Sequence, residues 1–553
     1  MPTIEVSYKE LKKLSKLNFK KEKMQDVLLT YLKADVEKID SDKMTIKLED
    51  TNRPDLWCVE GLAKNLRSVF EKKQKDYKIE KSKIIVDVDK NLKNIRPYVA
   101  CAVVKNLNIS NKFLKSIIQF QEKLGESYGR KRKKIGLGVY DLDEIKGNKI
   151  KYCCAKPSEK FTPLEFNQEL SLKNILKKHP KGKEYAHLIE DKKYYPVFKE
   201  ESGDILSMPP IINSHKTGKV TEKTKNVFLE ATGTDFEAVF HALNLFAMAF
   251  AEQGGKIYST KIKYNYENQK IVEVSPKFDS KPFDIKIEYI DKLLGLGLNQ
   301  KEIKELLKKM GYEVNKISED IINLSIPFYR KDIMHAVDII EDIAIAYDYN
   351  KIKPLEPKVY TKGKILQETI KKNNLREYMM GMKFQEVLNF TLSSKKTLME
   401  KMNKKDKAIE VLNPISSNYA FLRNSILPIM MDFLQKNKTV EFPQKIFEVG
   451  SVFISNKNKE NKIEQQNRLC VIISHSKSTY TEIKSVLDTL MYHIDKSYRI
   501  KHTKNPSFID GRCGKIFVGR KKIGVLGEIH PKILRNFDLE NPVCALEINV
   551  DNL

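Results

Sequence analysis

The sequence contains few cysteines and no long apolar run, and both absences limit what kind of protein it is. Seven cysteines occur among 553 residues, no C-x-x-C is present, and the only close pair is adjacent, Cys153 and Cys154. This pattern argues against zinc sites and disulfide frameworks and favours buried thiols in a cytoplasmic protein. No run of about 18 apolar residues occurs, so we expect no membrane span. The N-terminal residues MPTIEVSYKELKKL predict no signal peptide.

Stand-alone catalytic motifs are missing as well. The sequence has no H-E-x-x-H and no G-x-S-x-G, and none of its nine histidines is paired at metal-ligand spacing. Gly218 and Lys219 lack the upstream glycine of a P-loop, and residues 295–300 (GLGLNQ) lack the third glycine of a dinucleotide-binding loop. These absences argue against zinc proteases, hydrolases with a nucleophile elbow, and P-loop or dinucleotide-binding enzymes.

Positive charge is the strongest compositional feature. Lys and Arg total 100 against 73 Asp and Glu, which gives a formal net charge of +27. Such an excess indicates a polyanion partner, and nucleic acid is the default candidate. The lysines are spread over the whole length, so charge alone does not locate the contact. A basic run at residues 129–134 (GRKRKK) is either a solvated loop or a loop that contacts phosphates.

Hydrophobic periodicity indicates a multidomain α+β chain. Capping boxes predict helix starts at Ser7 and Asn299. Linkers are predicted at residues 275–282 and 353–357. A small α+β unit ends near residue 85, so this limit and the two linkers together divide the chain into residues 1–85, 86–270, 271–352 and 353–553.

Two segments combine rigid turns with polar side chains. Residues 208–215 (MPPIINSH) pair a double proline with Asn213 and Ser214, and residues 230–235 (EATGTD) offer hydroxyls, backbone N–H groups and a carboxylate. Together they could line a pocket that binds and recognises a small polar ligand. The alternative is a turn followed by a helix N-cap at Thr234 or Asp235.

Four carboxylates lie close together around a predicted helix between residues 330 and 350. The acids are Asp332, Asp338, Glu341 and Asp342. Positions three and four apart on a helix are neighbours, so Asp338, Glu341 and Asp342 can share one face. A second face carries an apolar stripe of helical period: Ile333, Val337, Ile340, Ala344 and Tyr347. The acids either complement the helix dipole or hold a hard cation such as Mg²⁺.

A collinear series of short motifs resembles the β subunits of phenylalanyl-tRNA synthetase in their shorter archaeal and eukaryotic form. The series runs over essentially the whole chain and is far more specific than any one member. It comprises residues 50–55 (DTNRPD), 60–63 (EGLA), 96–98 (RPY), 121–124 (QEKL), 129–132 (GRKR), 209–214 (PPIINS), 232–235 (TGTD), 327–332 (PFYRKD), 338–342 (DIIED), 422–425 (LRNS), 446–450 (IFEVG) and 527–531 (GEIHP).

The resemblance implies an architecture. Residues 1–85 would form an N-terminal α+β domain, 86–270 a B3/B4 editing domain and 271–352 a small B5 domain of helices and strands. Residues 353–553 would form a core domain similar to class II synthetases, with an antiparallel sheet and flanking helices. Its last segment, residues 544–553 (CALEINVDNL), lacks the glycines and the arginine of a class II ATP site. The aminoacylation site is therefore expected on the α subunit, and no residue of this chain is expected to catalyse that reaction.

The resemblance also implies partners and sites. The holoenzyme, an α₂β₂ tetramer, would charge tRNA(Phe) with Phe using ATP bound mainly in the α subunit. This chain would support assembly, tRNA binding and hydrolytic editing of Tyr-tRNA(Phe). The implied editing pocket comprises Asn213, Ser214, Thr232, Thr234 and Asp235, with Glu230 as a further candidate and no catalytic base assigned. Mg²⁺, shared with the α subunit, would bind Asp332, Asp338, Glu341 and Asp342. A free-standing tRNA deacylase or a non-catalytic RNA-binding scaffold is the alternative.

Overall fold

The computed structural model describes residues 2–266, 269–356 and 361–553 and divides the chain into two compact units, residues 1–356 and 357–553. The linker predicted at residues 353–357 coincides with this division, although Pro357 lies outside the described residues. In the part of the chain that the structure describes, no helix combines the length and apolar character of a membrane span. The seven cysteines are unpaired thiols, and five of them are buried.

The first unit begins with a three-stranded antiparallel sheet covered by three helices, in the strand order β1-β3-β2. The predicted helix start is confirmed, because the Ser7 hydroxyl accepts a hydrogen bond from the N–H of Glu10. The predicted alternation of Met44, Ile46 and Leu48 is also confirmed, since all three point into the core. The elements are β1 Thr3–Ser7, α1 Tyr8–Ser15, α2 Lys21–Leu32, β2 Ala34–Asp40, β3 Lys43–Leu48 and α3 Val59–Val69.

A large mixed sheet follows, in the order β12-β11-β10-β7-β4-β14-β5-β13-β6, with β15 paired to β14. Strand β14 runs parallel to β4, and β4 runs parallel to β7, whereas the other pairs are antiparallel. Strands β8 and β9 form a separate ribbon. The elements are β4 Ile79–Val88, β5 Tyr98–Lys105, α4 Asn111–Lys123, β6 Ile135–Asp141, β7 Lys149–Ala155, β8 Lys160–Phe161, β9 Leu170–Ser171, α5 Leu172–Lys178, α6 Pro180–Tyr185, β10 Tyr195–Lys199, β11 Ile205–Met208, β12 Ile212–Asn213, α7 His215–Gly218, β13 Val227–Gly233, α8 Phe236–Glu252, β14 Lys256–Tyr266 and β15 Gln269–Ser275.

Helix α8 joins these two sheets into one core. It is apolar on nearly every face and is buried almost throughout, as expected for a helix enclosed by protein. Its side chains pack in a single apolar cluster with α1, α2, α3 and α4 and with one face of the large sheet. The predicted domain limit at residue 85 lies inside β4, and the limit at residue 270 lies inside β15. Both limits stay predictions.

The last part of the first unit is a three-stranded antiparallel sheet, in the order β16-β18-β17, with three helices. The predicted capping box is confirmed, since Asn299 and Glu302 each accept the other's backbone N–H. The predicted apolar stripe of the last helix is wrong at Val337, which is 39% exposed. That helix begins only at Ala336, so Val337 lies in its first turn, at the edge of the packed face. The elements are β16 Lys281–Lys286, α9 Ile287–Leu294, α10 Gln300–Lys309, β17 Glu313–Ile317, β18 Ile321–Ile326 and α11 Ala336–Tyr347.

The second unit is built on a seven-stranded sheet in the order β19-β23-β24-β28-β27-β26-β25. All its pairs are antiparallel except β19 with β23, and the two faces carry separate apolar cores. A small sheet β20-β22-β21 lies apart from it. The elements are α12 Gln367–Gly381, β19 Gln385–Glu386, β20 Leu392–Ser393, β21 Ile409–Glu410, β22 Phe421–Leu422, α13 Leu427–Lys436, β23 Gln444–Ser455, β24 Ile463–Ser474, α14 Tyr480–His493, β25 Arg499–His502, β26 Phe508–Val518, β27 Lys521–Ile529, α15 Pro531–Asn536 and β28 Val543–Asn549.

Candidate functional site

A cavity of about 500 Å³ opens in the first unit between α4, β6 and residues 209–220. We call it the central pocket. Its volume falls in the range of roughly 300–1,000 Å³ that is usual for small-molecule sites. Most of its wall is apolar: Ile109, Phe113, Leu114, Ile117, Leu137, Val139, Ile211 and Phe250. Its polar side chains are Gln121, Glu122, Arg132, Glu165, Lys181, Asn213, His215, Lys219 and Glu230.

Glu230 is the unusual member of this wall. It lies in the middle of β13 and is only 3% exposed. The Tyr140 hydroxyl donates to its Oε1 at 3.2 Å, whereas its buried Oε2 has no hydrogen-bond partner among the described residues. Burial raises the pKa of Glu230 to about 8, against the opposing effects of the Arg96 guanidinium and the Tyr140 hydroxyl. Near neutral pH the carboxyl is therefore largely protonated and can both donate and accept a hydrogen bond.

Strand β6 leaves room for this carboxyl by carrying a glycine directly opposite it. Gly138 is the register partner of Glu230. A Cβ at Gly138 would lie 2.6 Å from Oε1 of Glu230 and 3.0 Å from the Tyr140 hydroxyl. Because carbon and oxygen do not approach so closely without a shift, a larger residue at position 138 would displace the carboxyl from the pocket wall.

Asn213 and His215, on either side of Ser214, supply another part of the wall. The Asn213 side-chain amide donates to the carbonyl of Val139 at 3.0 Å, which fixes it against β6. Ser214 is buried, and its hydroxyl caps α7 and contacts the Thr217 hydroxyl at 2.7 Å. His215 lines the pocket, and its buried Nδ1 has no partner among the described residues. Asn213 and His215 thus present polar atoms to the pocket, whereas Ser214 holds the turn.

The other three residues of the predicted editing pocket lie outside its wall. The Thr232 hydroxyl accepts from Arg96 Nε at 2.9 Å, and the Thr234 hydroxyl donates to the carbonyl of Lys133 at 3.4 Å. Asp235 caps α8 by accepting the N–H of Ala238 at 2.9 Å and pairs with Lys134 at 3.2 Å. Partial burial works to raise the pKa of Asp235, but these two contacts outweigh it, so the pKa is lowered. The roles of all three in editing stay predictions.

The basic run borders the central pocket as a tight left-handed turn. Arg130, Lys131 and Arg132 have φ values of 49°, 53° and 60°, a region that non-glycine residues rarely occupy. Arg132 anchors the turn, because its Nη1 donates to the carbonyls of Pro210 and Ile211 at 3.0 and 3.1 Å. Arg130, Lys131 and Lys133 are exposed. Three cations of the run thus face solvent, and phosphate contact by them stays a prediction.

The four predicted metal ligands are brought together around a cavity of about 70 Å³. Its wall also carries three cations, Lys33, Arg53 and Arg330, and residues of the DTNRPD motif. This places two distant motifs, residues 50–55 and 327–342, against each other. Helix α11 and the segment before it supply the acids, which are Asp332, Asp338, Glu341 and Asp342.

Each of these acids already forms an ion pair or accepts backbone hydrogen bonds. Arg330 Nη2 lies 2.7 Å from both Asp332 and Asp342, and Lys33 lies 2.6 Å from Glu341. Asp338 accepts the N–H groups of Met334 and His335 at 2.7 and 2.8 Å.

The arrangement does not fit a metal ion in this chain by itself. Within the described ranges, no group of three or more His, Cys, Asp or Glu side chains is arranged to hold one. The buried Nη1 of Arg330 has no partner there, and an unpaired guanidinium N–H requires an acceptor rather than a cation. The metal assignment stays a prediction.

The sequence around Glu230 indicates a buried site. A single carboxylate stands in the apolar strand Val227–Gly233, where every residue is buried. An acid at such a position is rare unless it is paired, so it marks a buried site. His215, Gly138 and the cations around the small cavity carry no comparable local signal.

Three family models match the chain in sequence order. The model described as the B3/4 domain matches residues 116–249, and the tRNA synthetase B5 domain matches residues 283–349. The phenylalanyl tRNA synthetase beta chain CLM domain matches residues 352–550. The central pocket thus lies largely within the B3/4 match, and the helix that carries three of the four acids lies within the B5 match.

Curated relatives match over nearly their full length. The chain is 43% identical to a phenylalanine–tRNA ligase beta subunit of Pyrococcus furiosus, over 99% of each chain. It is 35% identical to the protein of that name from Methanococcoides burtonii, over 100% of each. Among solved structures, an N-terminal fragment of the phenylalanyl-tRNA synthetase beta subunit from Pyrococcus horikoshii matches with a TM-score of 0.60 and 44% identity, covering 63% of this chain and 99% of the fragment.

Proposed function

This chain belongs to the family of phenylalanine–tRNA ligase β subunits, and we propose that its central pocket hydrolyses tyrosine wrongly esterified to tRNA(Phe). As a β subunit it is part of an ATP-dependent aminoacyl-tRNA synthetase. The observation that carries the editing proposal is the Glu230 carboxyl, whose buried Oε2 has no partner among the described residues, in a pocket whose wall is mostly apolar.

The need for a second site follows from the substrates. Tyrosine differs from phenylalanine by one hydroxyl, and a hydrophobic pocket rejects an added hydroxyl only by about 10²-fold. A second pocket that hydrogen-bonds the hydroxyl can reject the analogue without it far more strongly, because the buried polar group of the protein is then left unpaired.

The central pocket has the composition that this discrimination requires. Its apolar wall suits an aromatic ring, and the protonated Glu230 carboxyl can pair with a phenol as donor and as acceptor. Phenylalanine would leave Oε2 of Glu230 unpaired, so the pocket would favour tyrosine. Asn213 and His215, which also line the pocket, would orient the ester and a water molecule. We assign no general base among them.

Replacement of Glu230 tests the editing proposal. Glu230→Ala removes the partner of the phenol, and a lost hydrogen bond of about 1–3 kcal/mol lowers kcat/KM for Tyr-tRNA(Phe) hydrolysis by roughly 10–100-fold. Glu230→Gln keeps a neutral donor and acceptor and should retain more of the activity. Phe charging by the α–β complex should stay unchanged.

Glu237→Ala is the matched control, because Glu237 is an exposed acid in the first turn of α8. Deacylation that is as fast in Glu230→Ala as in the wild type would refute the role of this carboxyl.

The proposal includes an α-subunit partner, with the β chain contributing no synthetic active site. Exposed apolar side chains border the small sheet β20-β22-β21 of the second unit, and they are Leu388, Phe390, Leu412, Ile415 and Tyr419. Soluble chains rarely expose such a group unless it meets a partner. We assign this apolar face to the α subunit in an α₂β₂ tetramer. The largely antiparallel seven-stranded sheet supports the view that the second unit is a class II-like core.

We further propose that Mg²⁺ reaches the acidic residues of the small cavity only when the α subunit is bound. Glu341 is half exposed and Asp338 is half-buried, so these two carboxylates are open to a partner's ligands. Calorimetric titration of the isolated chain with Mg²⁺ should give no binding heat, whereas the complex should bind.

Asp338→Ala in the complex should weaken Mg²⁺ binding, and Glu237→Ala should not. Identical titration curves for wild type and Asp338→Ala would refute the assignment of Asp338 as a Mg²⁺ ligand.

A further inference from the structure

A second large cavity lies in the second unit, on the face of the seven-stranded sheet. It measures about 670 Å³. Strands β24, β26, β27 and β28 form its floor, and residues 404–407 and 503–506 form its sides. The volume again lies in the range of roughly 300–1,000 Å³ that holds small molecules. Neither the editing reaction nor the apolar face uses this cavity.

The wall of this cavity is strongly basic. Arg468, Lys515 and Lys522 come from three different strands of its floor. Lys404, Lys405 and Lys407 come from one side and Lys504 from the other, so seven cations line the cavity together with two carboxylates. Three of these cations form a short run at residues 404–407, and the fold brings the other four to it from separate strands and loops, which gives an excess of five positive charges.

The two carboxylates do not neutralise this charge. Glu547 is buried and already satisfied: Arg468 pairs with it at 2.8 Å, and the Ser425 hydroxyl donates to it at 2.6 Å. Asp406 is exposed. Within the described residues, no carboxylate lies within 4.0 Å of the ammonium groups of Lys404, Lys515 or Lys522.

The cations are close enough to repel one another. Burial lowers the pKa of Lys522, and the positive charges of Lys515, Arg468 and Lys404 lower it further. Like charges held together in this way are relieved by a bound anion.

Arg468 carries an unpaired donor that also favours a bound anion. Its Nη1 pairs with Glu547, and its Nη2 donates to the Gln466 side chain at 3.1 Å. Its buried Nε–H has no acceptor among the described residues. A buried donor without an acceptor is costly, and a guanidinium matches the oxygens of a phosphate group.

We propose that this cavity binds the phosphate groups of a small polyphosphate ligand, with Lys515, Lys522 and Arg468 as its principal contacts. Nucleoside triphosphates and free polyphosphates share the chemistry that these cations recognise. The volume of the cavity, which lies in the range of small-molecule sites, favours a small ligand over the extended backbone of a nucleic acid.

Calorimetric titration of the full chain tests the site with two probes, inorganic tripolyphosphate and ATP, in magnesium-free buffer. Both probes should bind, and the affinity should fall as salt rises. The double variant Lys515→Ala/Lys522→Ala should weaken tripolyphosphate binding at least about tenfold, because it removes two charge-assisted contacts. Lys521→Ala, an exposed lysine next to Lys522 that does not line the cavity, is the matched control and should bind like the wild type.

The outcomes separate the possible ligands. Tighter binding of ATP than of tripolyphosphate, lost in the double variant, identifies a nucleotide as the source of the phosphates; equal binding identifies a free polyphosphate. Absence of binding for both probes overturns the proposal, as does binding that the double variant leaves unchanged. Binding of a single-stranded RNA alone also overturns it, in favour of a nucleic-acid contact. Unchanged melting temperatures of the variants establish that any loss is local.

Discussion

At the scale of single residues, Glu230 makes stability depend on pH. Its pKa is about 8 in the folded chain because it is buried, whereas an unfolded glutamate titrates near its ordinary value of about 4.3. Between these values the folded state keeps a proton that the unfolded state has released. The free energy of unfolding therefore falls as pH rises through this window, and the loss is complete above about pH 8.

Urea denaturation of wild type and Glu230→Gln at about pH 5 and about pH 9 measures this effect. Relative to the variant, the wild type should lose roughly 3–6 kcal/mol between the two pH values, at 1.36 kcal/mol for each unit of pKa shift. Glu60, with a pKa raised to about 7 by burial, and Lys64, with a pKa lowered to about 7 by burial, titrate in both proteins and cancel in the difference. Parallel pH profiles would mean that Glu230 ionises at its ordinary pKa in the folded chain.

The residue types of the sequence predicted some of the side chains that line the central pocket and not the others. The double proline and the Asn-Ser pair predicted a rigid polar edge, and Asn213 does line the central pocket. Asp235 is the N-cap of α8, the alternative that the sequence left open for the second segment, and Ser214 is the N-cap of α7, which the sequence did not predict. Which polar side chain faces a cavity and which caps a helix depends on strand pairing across more than 70 residues, as in the contact of Asn213 with Val139.

At the scale of secondary-structure elements, the left-handed turn at residues 130–132 separates an anchor from three exposed cations. Arg132 holds the turn to the pocket rim, whereas Arg130, Lys131 and Lys133 face solvent. We expect these three to contact phosphates near the 3′ end of the tRNA. The variant Arg130→Ala/Lys131→Ala/Lys133→Ala should therefore raise KM for Tyr-tRNA(Phe) hydrolysis with little change in kcat.

The salt dependence of tRNA binding gives the sharper measurement for this turn. The slope of log K against log salt should decrease by up to about 0.7–0.9 for each phosphate contact that is lost. A triple variant at Lys457, Lys459 and Lys462, which lie in or beside the β23–β24 hairpin, removes the same charge from another surface and is the control. An equal change of slope in both variants would assign the effect to net charge and not to the turn.

Helix α11 shows what local periodicity can and cannot predict. Its existence followed from apolar spacing, and Ile340 and Ala344 are buried as expected. The contacts of its acids could not be predicted from this spacing, because Lys33 and Arg53, which lie beside them, come from nearly 300 residues earlier in the chain. The same spacing of Asp338, Glu341 and Asp342 serves equally for a helix cap, an ion pair or a metal ligand, and only the tertiary fold selects among them.

At the scale of the whole molecule, collinear motifs predicted the family and the sequence order of the domains that the family models match. They could not predict the cavity of the second unit. Its cations come from separate strands and loops, and no single segment of the sequence indicates that these come together. They also contain no direct signal for the apolar face, since an exposed leucine and a buried one look alike in a sequence.

The apolar face makes a prediction about assembly. Leu412 is 91% exposed, and Phe390 contacts Tyr419 in an edge-on arrangement with 6.0 Å between the ring centroids, so the face presents aromatic and aliphatic side chains to solvent. Ile415→Asp would bury an unpaired carboxylate against the α subunit, which costs several kcal/mol. We expect this variant to stay folded alone but to lose the complex with α in size-exclusion chromatography, together with Phe-dependent ATP–pyrophosphate exchange. Tyr492→Asp, at another exposed aromatic on α14, should assemble normally, and normal assembly of Ile415→Asp would move the α-subunit interface to a different surface.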